Sequence, residues 1–210
     1  MKTFRLICLV LLLSVNTLNI MAQFQGEVYT QFNNASVSFN GQSITSPWCG
    51  GINSSQIVLA DLNNDNQQDL VIYDFNTLTL KTFLFTGSSG QVKYAYAPQY
   101  AKNFPTVYDY VLMPDYNCDN IPDLFHRGYA GVAVYKGYYQ NNELKFTFYK
   151  DLFFPGNFGP VNVYVQPSDI PSIVDIDYDG DLDIISYEVS GSRLTHYKNL
   201  RIEQNLPCDS

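Results

Sequence analysis

The stretch DIDYDGDLD, Asp175 to Asp183, places five carboxylates in nine residues directly before the apolar pair Ile184-Ile185. Two carboxylates about 5 Å apart repel by roughly 3 kcal/mol at an effective dielectric of 20, so a tight loop of five needs positive charge among them. No Lys or Arg occurs between Lys150 and Arg193, which leaves a cation from solution. A hard divalent ion takes about six to eight oxygens, and alternating Asp side chains with one main-chain carbonyl supply most of them from a single short segment. Calcium is the ion this composition favours.

Two further stretches have the same form: DLNNDNQQD at Asp61 to Asp69 and DYNCDNIPD at Asp115 to Asp123. All three fit Asp-x-(Asp/Asn)-x-Asp-(Asn/Gly)-x-x-Asp at near-regular spacing, which argues for a repeat architecture. Positions 1, 3, 5 and 9 carry oxygen-bearing side chains, and position 7 offers its carbonyl. The expected side-chain ligands are Asp61, Asn63, Asp65 and Asp69; Asp115, Asn117, Asp119 and Asp123; and Asp175, Asp177, Asp179 and Asp183. Gln67, Ile121 and Asp181 are the expected carbonyl donors, giving up to three Ca2+ ions. Position 6 is Asn66, Asn120 or Gly180, residue types that tolerate positive φ at a sharp turn. A helix-loop-helix calcium hand would need a closing acid at position 12, but that position holds Ile72, His126 or Ser186. The competing reading is an Asp/Asn-rich turn stabilised by its own backbone, and three copies weigh against it. The third loop has five acids and the others three each, so the third should bind most tightly.

Short apolar segments flank each loop, as strands do. Ile57–Ala60, Tyr110–Met113 and Ile173–Val174 precede the loops; Leu70–Tyr73, Leu124–Phe125 and Ile184–Tyr187 follow them. Further out lie Leu78–Lys81, Val132–Tyr135, Leu144–Phe148 and Leu194–Tyr197. With 17 Tyr, 14 Phe and little helical periodicity, the chain reads as all-β. Each unit has the plan of a β-propeller blade: strand, acidic loop, strand, then one or two more strands.

Residues 170–200, IPSIVDIDYDGDLDIISYEVSGSRLTHYKNL, resemble the FG-GAP and VCBS-type repeats related to the calcium-binding blades of the α-integrin propeller. Loops one and two match less fully: both lack Gly at position 6, and loop two adds Cys118 and Pro122. The resemblance covers roughly residues 45–200 and implies β-propeller blades with calcium bound at the positions named. The leader, PWCGGIN at Pro47 to Asn53 and the spaced acidic loops are also similar to large secreted bacterial proteins that carry a type nine secretion sorting domain. Three units fall short of the four to eight blades, roughly, of a closed propeller. The expectation is therefore an incomplete propeller, completed by further sequence or by self-association.

The amino terminus has Lys2 and Arg5, an apolar run from Leu6 to Val15 and a small residue at Ala22, the plan of a cleaved signal peptide. The expected organisation is a signal peptide over 1–22, an N-terminal strand or linker over 23–44, the repeat region over 45–200, and the start of a further segment or a truncated end over 201–210. Export, outside the cell or on a bacterial outer surface, follows, with no membrane span in the mature chain. Cleavage removes two of the 12 basic residues and none of the 20 acids, deepening a formal charge of −8. That excludes nucleic acid as the main partner. Of the 16 Asp, 11 lie in the three loops, so the acidity is local. Cys49, Cys118 and Cys208 remain, an odd number whose pairing the sequence does not assign and which favours a longer parent chain.

Two classes of function fit. One is a calcium-stabilised, adhesion-like scaffold that binds an extracellular protein or glycan, stabilised because the ion binds the folded form. The other is the non-catalytic portion of a secreted polysaccharide hydrolase or lyase. The mature chain's four Glu and two His, His126 and His196, form no recognisable catalytic motif, so no enzyme activity is expected of this segment. Both histidines read as surface or core-edge residues. Tyr94, Tyr96 and the run Tyr135 to Tyr139 read as packing between sheets more than as sugar platforms. Asp109 and Asp151 read as solvated.

Overall fold

Each acidic loop is followed by a run of β-branched and aromatic residues, and each run becomes a strand of an antiparallel sheet, an inner one after loops one and three and an edge one after loop two. The structure, a computed structural model, describes residues 35–88, 93–129 and 131–208. The expected signal peptide and most of the 23–44 segment lie outside the described residues, as do Asp209 and Ser210. A compact unit begins at Ser38. It opens with a hairpin of β1 (Ser38–Phe39) and β2 (Gln42–Ser43), turned by Asn40 and Gly41 at φ 51° and 77°. The first sheet has the order β3-β4-β5-β6, from β3 (Ser55–Ala60), β4 (Asp69–Asp74), β5 (Thr79–Phe85) and β6 (Tyr94–Tyr96).

A 3-10 turn at Tyr100–Asn103 leads to the second sheet: β7 (Leu124–Arg127), β8 (Val132–Gln140) and β9 (Glu143–Asp151). Asn141 and Asn142, both at positive φ, close the β8–β9 hairpin, the turn chemistry that matches strand twist. A small hairpin, β10 (Phe153–Gly156) with β11 (Gly159–Asn162), precedes the third sheet. That sheet comprises β12 (Ser172–Val174), β13 (Asp183–Tyr187) and β14 (Leu194–Tyr197). The fold is all-β and the sheets are antiparallel and open. No α-helix occurs among the described residues.

β7 and the start of β8 are buried on both faces, and their sequence shows why. Successive strand residues point to opposite faces, so Leu124 joins one core with Ala60, Leu62, Val71 and Tyr73 of the first unit, while the adjacent Phe125 joins another with Val132, Val134, Val165 and Ile184. Each buried Leu, Val, Ile or Phe among these contributes about 1.5–3 kcal/mol. Tyr96 packs on Phe83 and Tyr135 on Phe148, both with ring centroids 5.3 Å apart. These two pairs are cross-strand neighbours within one sheet, where the expectation was packing between sheets.

One expected strand is not formed. Of Tyr110–Met113, only Leu112 pairs, through a bridge to Phe125. Asp109 upstream has φ 63°, Pro114 downstream has no N–H to donate, and the Val111 N–H goes to the Gln56 Oε1 at 2.8 Å. Asp109 is also not free, since it pairs with Arg127.

Cys118 and Cys208 form a disulfide across 90 residues, joining loop two to the C-terminal segment; among the described residues Cys49 is the free thiol. A bridge closing so long a loop restricts the unfolded chain, typically by about 2–4 kcal/mol. Replacing Cys208 by Ser is expected to lower the melting temperature by roughly 4–16 °C for a chain of this size, read by thermal unfolding with and without reductant. Reductant should reproduce the effect in the native chain and leave the variant unchanged.

Candidate metal centre

The three acidic loops share one pattern of hydrogen bonds. The position 1 carboxylate accepts the N–H groups of positions 5 and 6: Asp65 and Asn66 onto Asp61, Asp119 and Asn120 onto Asp115, and Asp179 and Gly180 onto Asp175, all at 2.7–3.2 Å. Position 5 then accepts the N–H of position 7, from Gln67, Ile121 and Asp181 respectively. This folding needs positive φ at two places. Asn66, Asn120 and Gly180 supply it at position 6, as their residue types foretell; at position 4 Asn64 supplies it in loop one, and Cys118 and Tyr178, whose residue types give no warning, supply it in the other two.

The closing aspartates do different work. Asp69, Asp123 and Asp183 are at most 1% exposed. One oxygen of each accepts an N–H from the far side of the unit: Phe85 at 2.7 Å, Gly137 at 2.7 Å and Asn199 at 2.8 Å. In loops one and two the other oxygen accepts from position 2, Leu62 at 2.9 Å and Tyr116 at 2.7 Å. Burial pushes the Asp69 and Asp123 carboxyls up, and these N–H groups oppose that shift. At Gly137 a Cβ would lie 2.0 Å from the Pro122 carbonyl, so only glycine lets β8 approach loop two this closely. In the third unit His196 Nε2 lies 3.2 Å from Asp183 Oδ2, giving this histidine a specific partner.

Positions 3 and 5 separate the loops. In loops one and two the Asn63 and Asn117 amides donate to Asp65 and Asp119 at 2.8 Å, a neutral donor where an ion would sit. Asn63 Oδ1 is nevertheless buried without a partner. In loop three, Asp175, Asp177 and Asp179 each bring a carboxylate oxygen to within 4.8 Å of the other two. Asp179, Asp181 and Glu203 form a second such group. These are the two groups among the described residues with metal-ligating reach. Their hard oxygen donors suit calcium or magnesium over a soft metal.

The positive charge that the sequence did not place near loop three arrives from the C-terminal segment. Lys198 pairs with Asp177 and Glu203 and stands 3.4 Å from Asp179. Arg201 Nη2 donates to the Gly180 carbonyl at 2.6 Å, and the Ile202 N–H to Asp181 Oδ2 at 3.1 Å. Asp181, expected only as a carbonyl donor, turns its own carboxylate inward and is 4% exposed. Lys198, Arg201, Glu203 and the Asp181 side chain are thus site residues that the loop motif does not reveal. One regularity points to it: the residue whose N–H meets the closing Asp lies 14 to 16 positions after it in every unit, which puts Lys198, next to Asn199, on loop three.

No family model matches the chain, and no curated protein or solved structure matches it.

Lys198 holds the Asp177 and Glu203 carboxyls below their ordinary range, and they in turn raise the Lys198 ammonium. The depressed carboxyls contribute stability above their unfolded pKa values of about 4 that is lost as pH falls through and below that range. The raised lysine contributes stability below about pH 10.4 that is lost as pH rises further. Lys198→Met is therefore expected to flatten both limbs of the stability–pH curve in metal-free buffer, measured by denaturant unfolding from pH 3 to 11, roughly the span of these groups.

Proposed function

We propose that the chain is an exported, calcium-stabilised β scaffold that binds an extracellular protein or glycan. The observation that carries the metal part is the convergence of Asp175, Asp177 and Asp179 on a loop whose turns are already closed by its own N–H groups. Position 1 and position 5 spend oxygens on those turns and keep further lone pairs for an ion, since a carboxylate offers about four acceptor sites. Loops one and two are weaker sites, because Asn replaces the position 3 acid and donates to position 5. The resemblance of residues 170–200 to FG-GAP and VCBS-type repeats agrees with this reading.

Beside the third loop, a cleft of 450 Å³ opens between the second and third sheets. Tyr116, Phe153, Phe154 and Tyr197 line it together with Lys150 and Arg201. Aromatic faces with a few polar groups suit a sugar ring or an apolar peptide side chain. Arg201 touches both the cleft and the Gly180 carbonyl, so an ion in loop three would firm one wall of the binding surface. The ion's role in this reading is structural: it binds the folded state and stabilises it by mass action.

The test is calorimetric titration of residues 23–210 with calcium, followed by thermal unfolding with calcium or with chelator. Saturable binding and a melting temperature raised by calcium are expected, with Asp177→Asn losing an ion. Absence of binding, with melting unchanged by chelator, would sink the metal reading and return the loops to backbone-stabilised turns.

A further inference from the structure

We infer that the C-terminal segment builds a second divalent-cation site against the outside of loop three, from the side chains of Asp179, Asp181 and Glu203. The inference rests on the calcium reading of that loop, and extends it to a position that the loop alone does not create. Glu203 lies 20 residues beyond the last loop position and belongs to no strand, yet its carboxylate comes within 4.8 Å of those of Asp179 and Asp181.

Independent support comes from Asp181. Its Oδ2 accepts the Ile202 N–H, but its Oδ1 is buried with no hydrogen-bond partner, on a residue that is 4% exposed. A buried carboxylate oxygen without a partner carries a desolvation cost that a bound cation removes. The basic residues do not meet this need. Lys198 is engaged by Asp177 and Glu203, and the Arg201 contacts are to the Gly180 carbonyl and the Cys208 sulfur. Four acids, Asp177, Asp179, Asp181 and Glu203, therefore meet two basic side chains. All the donors are hard oxygens, which fits calcium or magnesium.

The geometry also assigns Lys198 a role. Its ammonium bridges one carboxylate from each group, Asp177 from the loop and Glu203 from the tail. An ion at either position competes with it, and Asp179 is common to both groups. The Cys118–Cys208 bridge ties the same tail to loop two, which holds Glu203 in place.

Calcium titration by calorimetry of residues 23–210, as the native chain and as Asp181→Asn, Glu203→Gln and Asp177→Asn, tests this. Asp181→Asn keeps the main-chain carbonyl and so spares the loop ligand. Support is one ion fewer, or affinity at one site reduced tenfold or more, in both Asp181→Asn and Glu203→Gln, with a different ion lost in Asp177→Asn, so that Asp177→Asn combined with Glu203→Gln loses two. If Asp181→Asn and Glu203→Gln bind as the native chain does while Asp177→Asn loses an ion, the second site is overturned and the loop reading stands. If only Asp177→Asn is without effect, the second site stands and the loop reading falls. No binding by the native chain overturns both. Melting curves in chelator show whether each variant is folded, and the two substitutions on separate segments keep the outcome independent of either one.

Discussion

Three buried carboxylates fasten the loops of this protein to its sheets. Asp69 and Asp183 begin β4 and β13, Asp123 directly precedes β7, and each accepts an N–H from a residue 14 to 16 positions further along the chain. In loops one and two the same side chain also accepts from the loop it closes. A buried anion is tolerable only when its oxygens are taken by donors, so these contacts fix where loop and strand meet. Everything nearer the surface follows from that anchorage: the position 1 carboxylate folds the loop over itself, and positions 3 and 5 face one another across it.

Charge balance then distinguishes the loops. Loops one and two lower their charge by using Asn at position 3, whose amide hydrogen-bonds to the acid at position 5. Loop three keeps Asp there and draws Lys198 and Arg201 from the tail. The tail is in turn fixed by the Cys118–Cys208 bridge, so the most acidic loop and the last folded segment stabilise one another. An ammonium and a guanidinium leave Asp181 Oδ1 without a partner, and it is at loop three that acidic side chains converge closely enough to be able to hold a metal ion.

Much of this was legible in the residues and some was not. Local pattern announced β3, β4, β7, β8, β13 and β14, because alternation and β-branched runs act over a few residues. It announced the turn at position 6, because Asn and Gly favour positive φ. The same local rule could not foresee Tyr178 or Cys118 at positive φ, where hydrogen bonding within the loop overrides residue preference. Nor could it foresee the failure of Tyr110–Met113 to pair, which depends on Gln56 taking the Val111 N–H from 55 residues away. Lys198 was missed because a search for compensating charge within the loop stops short of the strand that returns to it. Glu203 was missed for the same reason.

A hard cation at loop three would take over oxygens that Lys198 now holds. A crystal structure of residues 23–210 grown with calcium, with an anomalous difference map collected at long wavelength, decides whether an ion sits there. We expect an anomalous peak ligated by Asp175, Asp177 and Asp179, with the Lys198 ammonium withdrawn from Asp177. A map without a peak there at saturating calcium, with Lys198 still bonded to Asp177 and Glu203, would contradict that expectation.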